Sequence, residues 1–278
     1  MSHRLPTPSA VFTALVFVFL YLPIGIVVLN SFNADEALLG WGGFTTQWYS
    51  QAFSNSRVRD DFVTSLQVAL ASTAISLVIA VTAGLWMRRA STRARRALDA
   101  TTYMRIVLPE VVVALALFLV LRRYEIPLGV PAIVAGHVIF NSAYATLIIQ
   151  ARLATMTDVL EEAAADLGAS PVRTFRRVTL PLLMPAVIVA ALLTLSFSFD
   201  DVVTSLFLGG PNAETLPVLL LGLIRLHVTP EVNAIAVGVT AITMVTFGLA
   251  AAVMSIRDAA GVRTGQVDPA TLEAEEAK

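Results

Sequence analysis

The stretch "EEAAADLGASPVRTFRRVTLP", Glu161–Pro181, is a charged, alanine-rich segment in a chain made mostly of long apolar segments. Its pattern predicts two short helices joined by a turn. Asp158 is expected to cap the first helix, with Glu161 three residues later completing an arrangement like a capping box. Gly168 is expected to end this helix, and Ser170, followed by a proline, to begin the second.

The composition places the apolar segments in a membrane. The chain has 278 residues, of which 56% are hydrophobic and 14% charged, whereas a soluble domain has about 25% charged residues. A net charge of −1 gives no basic surplus, so we expect no nucleic-acid partner. The absence of cysteine and the presence of only three histidines argue against a metal site. The sequence has no phosphate-binding GxxxxGK[ST] loop, so we expect this chain to bind no cofactor itself.

Six segments are apolar enough to cross a hydrocarbon core of about 30 Å, which takes roughly 20 residues as a helix. They are approximately Ala10–Asn30, Phe62–Trp86, Thr101–Leu121, Pro131–Gln150, Pro185–Leu206 and Val232–Ile256. The first segment lacks the cleavage site of a secretory signal and is expected to be retained. The sequence therefore predicts an all-α, polytopic membrane domain at 1–256. The polar tail at 257–278 has a composition typical of disorder.

Arginine is concentrated in two of the connecting loops. These arginines are Arg88, Arg89, Arg93, Arg95 and Arg96 in one loop, and Arg152, Arg173, Arg176 and Arg177 in the other. Because Lys and Arg favour the cytoplasmic side, both loops are expected there, and with six spans so are both termini. Arg122 and Arg123 oppose this rule locally but are outnumbered.

The spacing within the charged segment resembles the EAA loop of ATP-binding-cassette (ABC) importer permeases. Glu162-Ala163-Ala164 is followed at the family's spacing by Gly168 and Leu180-Pro181, with Val178 where isoleucine is more usual. The resemblance implies a type I ABC importer permease fold, with one peripheral helix packed around a five-helix core. Without the resemblance, the same segment also fits a loop helix that lies on lipid headgroups.

The resemblance further implies that a loop at about 151–184 transmits motion from a separate ATPase. The residues assigned to this coupling loop are Glu161, Glu162, Ala163, Ala164, Asp166, Gly168, Ala169, Arg173, Phe175, Leu180 and Pro181. The implied partners are two ABC ATPase subunits, which hold ATP and magnesium, a homologous second permease and an extracytoplasmic substrate-binding protein. The chain itself is expected to be non-catalytic and to lie in a bacterial inner membrane.

Other segments narrow the resemblance to the second permease of spermidine and putrescine importers. They include "YLPIGIVVLNSFN" (Tyr21–Asn33), "GFTTQWYSQAF" (Gly43–Phe53), "SFDDVVTSLFLGGPNAETLP" and "TPEVNAIAV". Permeases of this kind also serve iron, thiamine, phosphonates and opine-like compounds, so these substrates remain open.

Ionisable residues within apolar spans are candidate functional groups because burying charge in a bilayer is costly. Glu110 lies in the third predicted span, and Asp200 and Asp201 lie in the fifth. On one continuous helix, two faces would carry these acids: Ser196, Asp200 and Thr204 on one, and Ser198, Asp201 and Ser205 on the other. Carboxylates along such a path would compensate the charge of a polycation. Asp200 and Asp201 are also suited to capping the end of a helix or pairing with arginine in a sister subunit.

The resemblance adds Trp48 and supports Glu110, because polyamine permeases have a tryptophan and an acid at the matching places. Trp48 also fits an interfacial belt with Trp41 and Tyr49. Asn141 shares a face of the fourth span with His137 and Tyr144, where it lines the path or joins helices.

The sequence argues against two other classes of protein. An ion-coupled secondary transporter would use Glu110 as its cation site, but such carriers show paired broken helices that the sequence does not reveal. An intramembrane hydrolase would need a nucleophile beside His137, and none is in register.

Overall fold

The computed structural model describes residues 7–211, 213–245 and 248, and this part of the chain is helical, with one isolated β-bridge. The helices are α1 (Thr7–Asn30), α2 (Gln47–Ser54), α3 (Ser56–Arg89), α4 (Thr92–Val107), α5 (Glu110–Arg123), α6 (Val130–Ala154), α7 (Val159–Asp166), α8 (Pro171–Thr174), a π-helical turn (Phe175–Thr179), α9 (Leu180–Phe199), α10 (Val203–Leu208), α11 (Leu216–Leu226) and α12 (Pro230–Val245).

Most of the predicted spans are present among the described residues. Four helices are long and apolar enough to cross a membrane: α1, α3, α6 and the continuous helix Pro171–Phe199. The pair α4 and α5 makes a fifth span if it is counted as one broken helix. The described part of the sixth predicted span is in α12. Apart from residue 248, the rest of that span and the tail at 257–278 lie outside the described residues.

The third predicted span, Thr101–Leu121, is not one continuous helix, and this prediction was wrong. α4 ends at Val107, and α5 starts at Glu110 with a bend of 101° between them. Leu108 has an extended backbone (ψ 131°), as expected for a residue that precedes proline. Glu110 therefore lies at the first turn of a helix inside the span.

The fifth predicted span, Pro185–Leu206, is also interrupted, so the two continuous helical faces predicted there do not form. α9 ends at Phe199 and α10 begins at Val203, which leaves Asp200, Asp201 and Val202 in a break. The Asp201 carboxylate accepts hydrogen bonds from the backbone N–H groups of Ser205 (2.8 Å) and Thr204 (3.4 Å). This side chain satisfies amides that the start of α10 leaves without helical partners.

Helices α3, α6 and α9 form the centre of the bundle through small and branched apolar side chains. One buried cluster comprises Ala80, Ala145, Ile149, Leu153, Leu183, Ala186 and Ala190. A second joins α5 and α10 to α3 and α6, and it comprises Val68, Leu121, Ala132, Ile133, Leu208 and Ala213. Alanine allows helix axes to approach closely, which is how helices associate in lipid.

A glycine lets α10 lie directly on α6. A Cβ atom at Gly136 would come within 2.8 Å of Leu208 Cδ1 and closer still to the methyl group of Thr204. The lack of a side chain at Gly136 therefore fixes where the break between α9 and α10 sits against α6.

α1 is peripheral, as expected, but it does not pack around the core of its own chain. None of its most apolar window is buried in the described structure. The segment after it is attached to α2 by two hydrogen bonds: Trp48 Nε1 donates to the Asn33 carbonyl (2.7 Å), and the Tyr49 and Ser31 hydroxyls lie 2.7 Å apart. The apolar surface of α1 is thus left to lipid or another subunit.

We expect Gly136→Val to force α10 away from α6 and to destabilise the purified protein by roughly 1–3 kcal/mol, the usual cost of overpacking. Gly222→Val is the matched control, because nothing lies within 4 Å of a Cβ built at Gly222. Thermal unfolding in detergent measures both variants. Equal melting temperatures for the two would contradict the close contact.

Candidate functional site

The two interrupted helices meet at one cavity of about 570 Å³. It is enclosed by the start of α5, one face of α6 and the break between α9 and α10. Its polar lining residues are Glu110, His137, Asn141, Tyr144, Ser196, Ser198, Asp200, Asp201 and Thr204. Asn141 and Tyr144 lie near the midpoint of α6, so the cavity is about halfway along the bundle.

Asp201 is held by a network of hydrogen bonds inside the protein. Its Oδ1 accepts from the Ser205 amide (2.8 Å) and hydroxyl (3.0 Å), and it lies 2.9 Å from His137 Nε2. His137 Nδ1 is 2.5 Å from the Ser198 hydroxyl, which is 2.8 Å from the hydroxyl of Ser72 on α3. With Nε2 donating to the carboxylate, neutral His137 accepts from Ser198. The side chains of His137 and Asp201 are only 3% and 7% exposed.

Glu110 and Asp200 are much less constrained. Glu110 Oε1 accepts one hydrogen bond from the Thr204 hydroxyl, at 3.2 Å. The Asp200 carboxylate has no hydrogen-bond partner among the described residues, and both acids are exposed in the single chain. The three acids therefore differ. Asp201 is bonded to protein donors through both oxygens, and Glu110 interacts with Asp201 and with Thr204, whereas Asp200 presents a carboxylate without a protein partner to the cavity.

The structure brings together four of the five residues predicted for the substrate path. Asn141 lines the cavity, and its amide donates to the Thr194 carbonyl at 3.3 Å. Trp48 does not line the cavity, because it is 7% exposed on α2 and is bonded to Asn33. Ser72, by contrast, carried no sequence signal for the site. Its contact with Ser198 depends on the packing of α3 against α9, which cannot be read from the sequence.

The charged segment forms a second candidate site. It follows the C-terminal end of α6, which is the end far from α5. α7 ends as predicted at Gly168, whose φ is +77°. The Ala169 N–H donates to the Ala164 carbonyl (3.0 Å), and the Gly168 N–H donates to the Ala165 carbonyl (2.9 Å). These two bonds form the glycine-terminated helix end called the Schellman motif.

The predicted capping box is absent, and that prediction was wrong. Asp158 makes no capping hydrogen bond and pairs instead with Arg88. Glu161 Oε1 accepts from Arg88 Nη1 (2.9 Å) and from the Thr179 hydroxyl (2.8 Å). Ser170 occupies the N-cap position of α8, but its side chain makes no cap bond. Asp158 and Glu161 thus bond to Arg88 and Thr179, which are distant in sequence, and not to backbone N–H groups at the start of α7.

The rest of the predicted coupling residues lie around this turn. Exposed positions are Glu162, Ala163, Asp166, Gly168, Arg173 and Pro181, and partly buried ones are Ala164, Ala169, Phe175 and Leu180. Apolar side chains beside them are also exposed, including Val159 (64%), Leu167 (89%) and Val172 (68%). An apolar patch beside charged residues is typical of a surface that meets another protein.

Broken spans around a polar cavity, together with an exposed two-helix loop, are features of a membrane permease. Residues 80–261 match the model of the binding-protein-dependent transport system inner membrane component family, and the chain belongs to that family.

Two relatives are similar over most of their length. The spermidine/putrescine transport system permease protein PotC of Haemophilus influenzae is 34% identical over 244 residues, covering 88% of this chain and 93% of that protein. The putrescine transport system permease protein PotI of Escherichia coli is 35% identical over 227 residues, covering 79% and 81%.

The fold is that of solved ABC importers. A bacterial ABC transporter involved in the import of the acidic polysaccharide alginate has a chain that matches with a TM-score of 0.64 at 15% identity, covering 90% of this chain and 94% of that one. At this identity the match establishes the fold alone. The chain is thus a non-catalytic permease subunit and a multi-pass inner-membrane protein with the type I ABC importer fold.

The different roles of the neighbouring aspartates predict different stabilities. Asp201→Ala leaves the buried His137 and the Ser205 amide and hydroxyl without their acceptor, and it is expected to cost about 1–3 kcal/mol, the usual cost of an unpaired buried polar group. Asp200→Ala is the matched control and is expected to leave the melting temperature of the purified protein unchanged. A larger loss of stability in Asp200→Ala would reverse the assignment.

Proposed function

We propose that this chain is a membrane-spanning subunit of an ATP-driven importer that carries polyamines such as spermidine and putrescine into a bacterial cell. The observation that carries the proposal is the group of three carboxylates, Glu110, Asp200 and Asp201, that line a cavity halfway along the bundle. The names of the similar permeases described above point to the same substrates.

The chemistry of the cavity suits a linear polycation. A carboxylate inside a membrane protein is unfavourable unless a positive charge compensates it, and the ammonium groups of a polyamine supply that charge. Apolar side chains cover the rest of the lining, among them Leu108 and the edge-to-face ring pair Tyr144–Phe197, with centroids 5.1 Å apart. These surfaces suit the methylene segments, and Tyr144 offers a π face to an ammonium group. An anionic phosphonate would meet like charges here.

The proposed assembly contains a homologous second permease, two ABC ATPase subunits that hold ATP and magnesium, and an extracytoplasmic binding protein. This chain would bind no nucleotide. The unburied apolar surface of α1 and the exposed Val159, Leu167 and Val172 of the loop supply separate surfaces for such partners. ATP-driven closure of the ATPases would draw the loops together and open the cavity outward, and hydrolysis would reset it.

An ion-coupled carrier is the second candidate, and one observation favours it. The sequence showed no pair of broken helices, but the structure has one break at Pro109 and another at Asp200–Val202. Broken helices at mid-membrane are typical of secondary transporters. Family membership favours the ATP-driven importer, and uptake that needs a proton gradient but no ATPase subunit would favour the carrier.

Glu110→Gln removes one of the cavity's carboxylates and keeps the shape of the side chain. In proteoliposomes with the complete importer, we expect spermidine uptake to fall about tenfold or more, since losing one charge contact to a ligand typically costs upward of ~1 kcal/mol. Glu125→Gln, at an exposed acid beyond α5, serves as control. Wild-type uptake by Glu110→Gln would refute the role of this carboxylate.

The arginine distribution supports a cytoplasmic position for the loop and for both termini. Because the chain has no cysteine, single cysteines can be placed without further changes. In sealed inside-out vesicles, a membrane-impermeant thiol reagent is expected to label Leu167→Cys but not Trp41→Cys, and adding the ATPase subunits should slow the labelling. Labelling of Trp41→Cys alone would invert the topology.

A further inference from the structure

The short helix α7 carries the proposed coupling surface, yet it has no buried residue. Its backbone neighbours are α8 and the π-helical turn, which belong to the same loop. A helix held only in this way would pivot at the Gly168 turn. If it is to transmit force to the spans, something other than apolar packing must hold it.

Side chains supply that attachment. Arg88 is the second-last residue of α3, and its guanidinium binds two of the four carboxylates of the loop, those of Asp158 and Glu161. Glu161 Oε1 also accepts from the hydroxyl of Thr179, which lies just before α9 and is 3% exposed. One carboxylate oxygen thus connects the end of α3, the helix α7 and the start of α9.

The surroundings keep this carboxylate charged. The side chains of Arg88 and Glu161 are 20% and 23% exposed, so the ion pair is screened less than a surface pair. Burial alone would raise the pKa of Glu161, but hydrogen bonds from Thr179 and Arg88 outweigh it and lower the pKa below its usual value. The stabilisation is therefore complete above the ordinary carboxylate pKa, and it is lost only as the pH falls through the lowered value.

The location of these bonds matters for mechanics. Thr179 and Glu161 lie on opposite sides of the Gly168 turn, so their contact spans the pivot. Arg88 continues the attachment into α3, whose Ser72 contacts Ser198 beside the cavity. The helix α3 thus contacts the loop through Arg88 near its C-terminal end and the membrane site through Ser72.

We propose that Arg88, Glu161 and Thr179 form a clamp that fixes α7 to α3 and α9, and that Arg88 and Glu161 are positioning residues for ATP-driven transport. The proposal rests on the function proposed above. Glu161 precedes the Glu-Ala-Ala triplet, and its role is to hold the loop rather than to meet the ATPase.

The test uses the complete importer in proteoliposomes, with Arg88→Gln and Glu161→Gln. We expect both variants to assemble and to hydrolyse ATP, while spermidine imported per ATP hydrolysed falls about tenfold, a common size for coupling between sites. Arg96→Gln is the matched control, since Arg96 on α4 is exposed and takes part in no ion pair within the described structure. Thr179→Val is expected to share the defect, whereas Thr179→Ser, which keeps the hydroxyl, is expected to restore coupling.

A second readout does not depend on transport. A spin label on Leu167→Cys in the nucleotide-free importer reports the mobility of the loop, and we expect Glu161→Gln to raise this mobility while Arg96→Gln does not. Unchanged mobility and unchanged coupling in Glu161→Gln would overturn the clamp and leave the proposed function standing. A wild-type importer with no ATP-dependent uptake would overturn the proposed function, and the coupling role with it.

Discussion

A chain can unwind inside a bilayer only where its freed backbone groups find other hydrogen-bond partners. In this permease, the Asp201 carboxylate meets that need by accepting from two amides at the start of α10. His137 and Ser205 hold the carboxylate in place, and Gly136 gives α10 the room to lie against α6. The cavity exists because this break is stabilised.

The same constraint separates the roles of three acids that are close in space. Asp201 is nearly fully buried and its oxygens accept hydrogen bonds from protein donors, so its carboxylate is held within the protein. Glu110 lies at the second break, where Pro109 interrupts the span, and it spends one oxygen on Thr204. The Asp200 carboxylate has no hydrogen-bond partner in the described structure. An amine entering the cavity would therefore compete for Glu110 and Asp200 without dismantling the helix break.

The sequence was sufficient for the class of protein but not for the geometry of its sites. Apolar length located the spans, and the spacing around Gly168 located the loop with its positive φ. Both helix breaks were missed because Pro109 and Asp200–Asp201 sit in apolar runs that a length criterion treats as continuous. Asp158 and Glu161 have the local pattern of a capping box, yet Arg88, far away in sequence, binds both. The burial of Trp48 could not be predicted because its partner, the Asn33 carbonyl, comes from the tertiary fold.

The proposed transport function requires a polyamine to occupy the cavity beside Glu110 and Asp200. The most direct measurement is the reaction of Asp200→Cys, as the only cysteine in the assembled importer, with a cationic, water-soluble thiol reagent. We expect spermidine to slow this reaction at position 200. The reaction rate of Leu115→Cys, on the exposed side of α5, should be the same with and without spermidine. Equal rates at position 200 with and without spermidine, in an importer that transports it, would contradict the account.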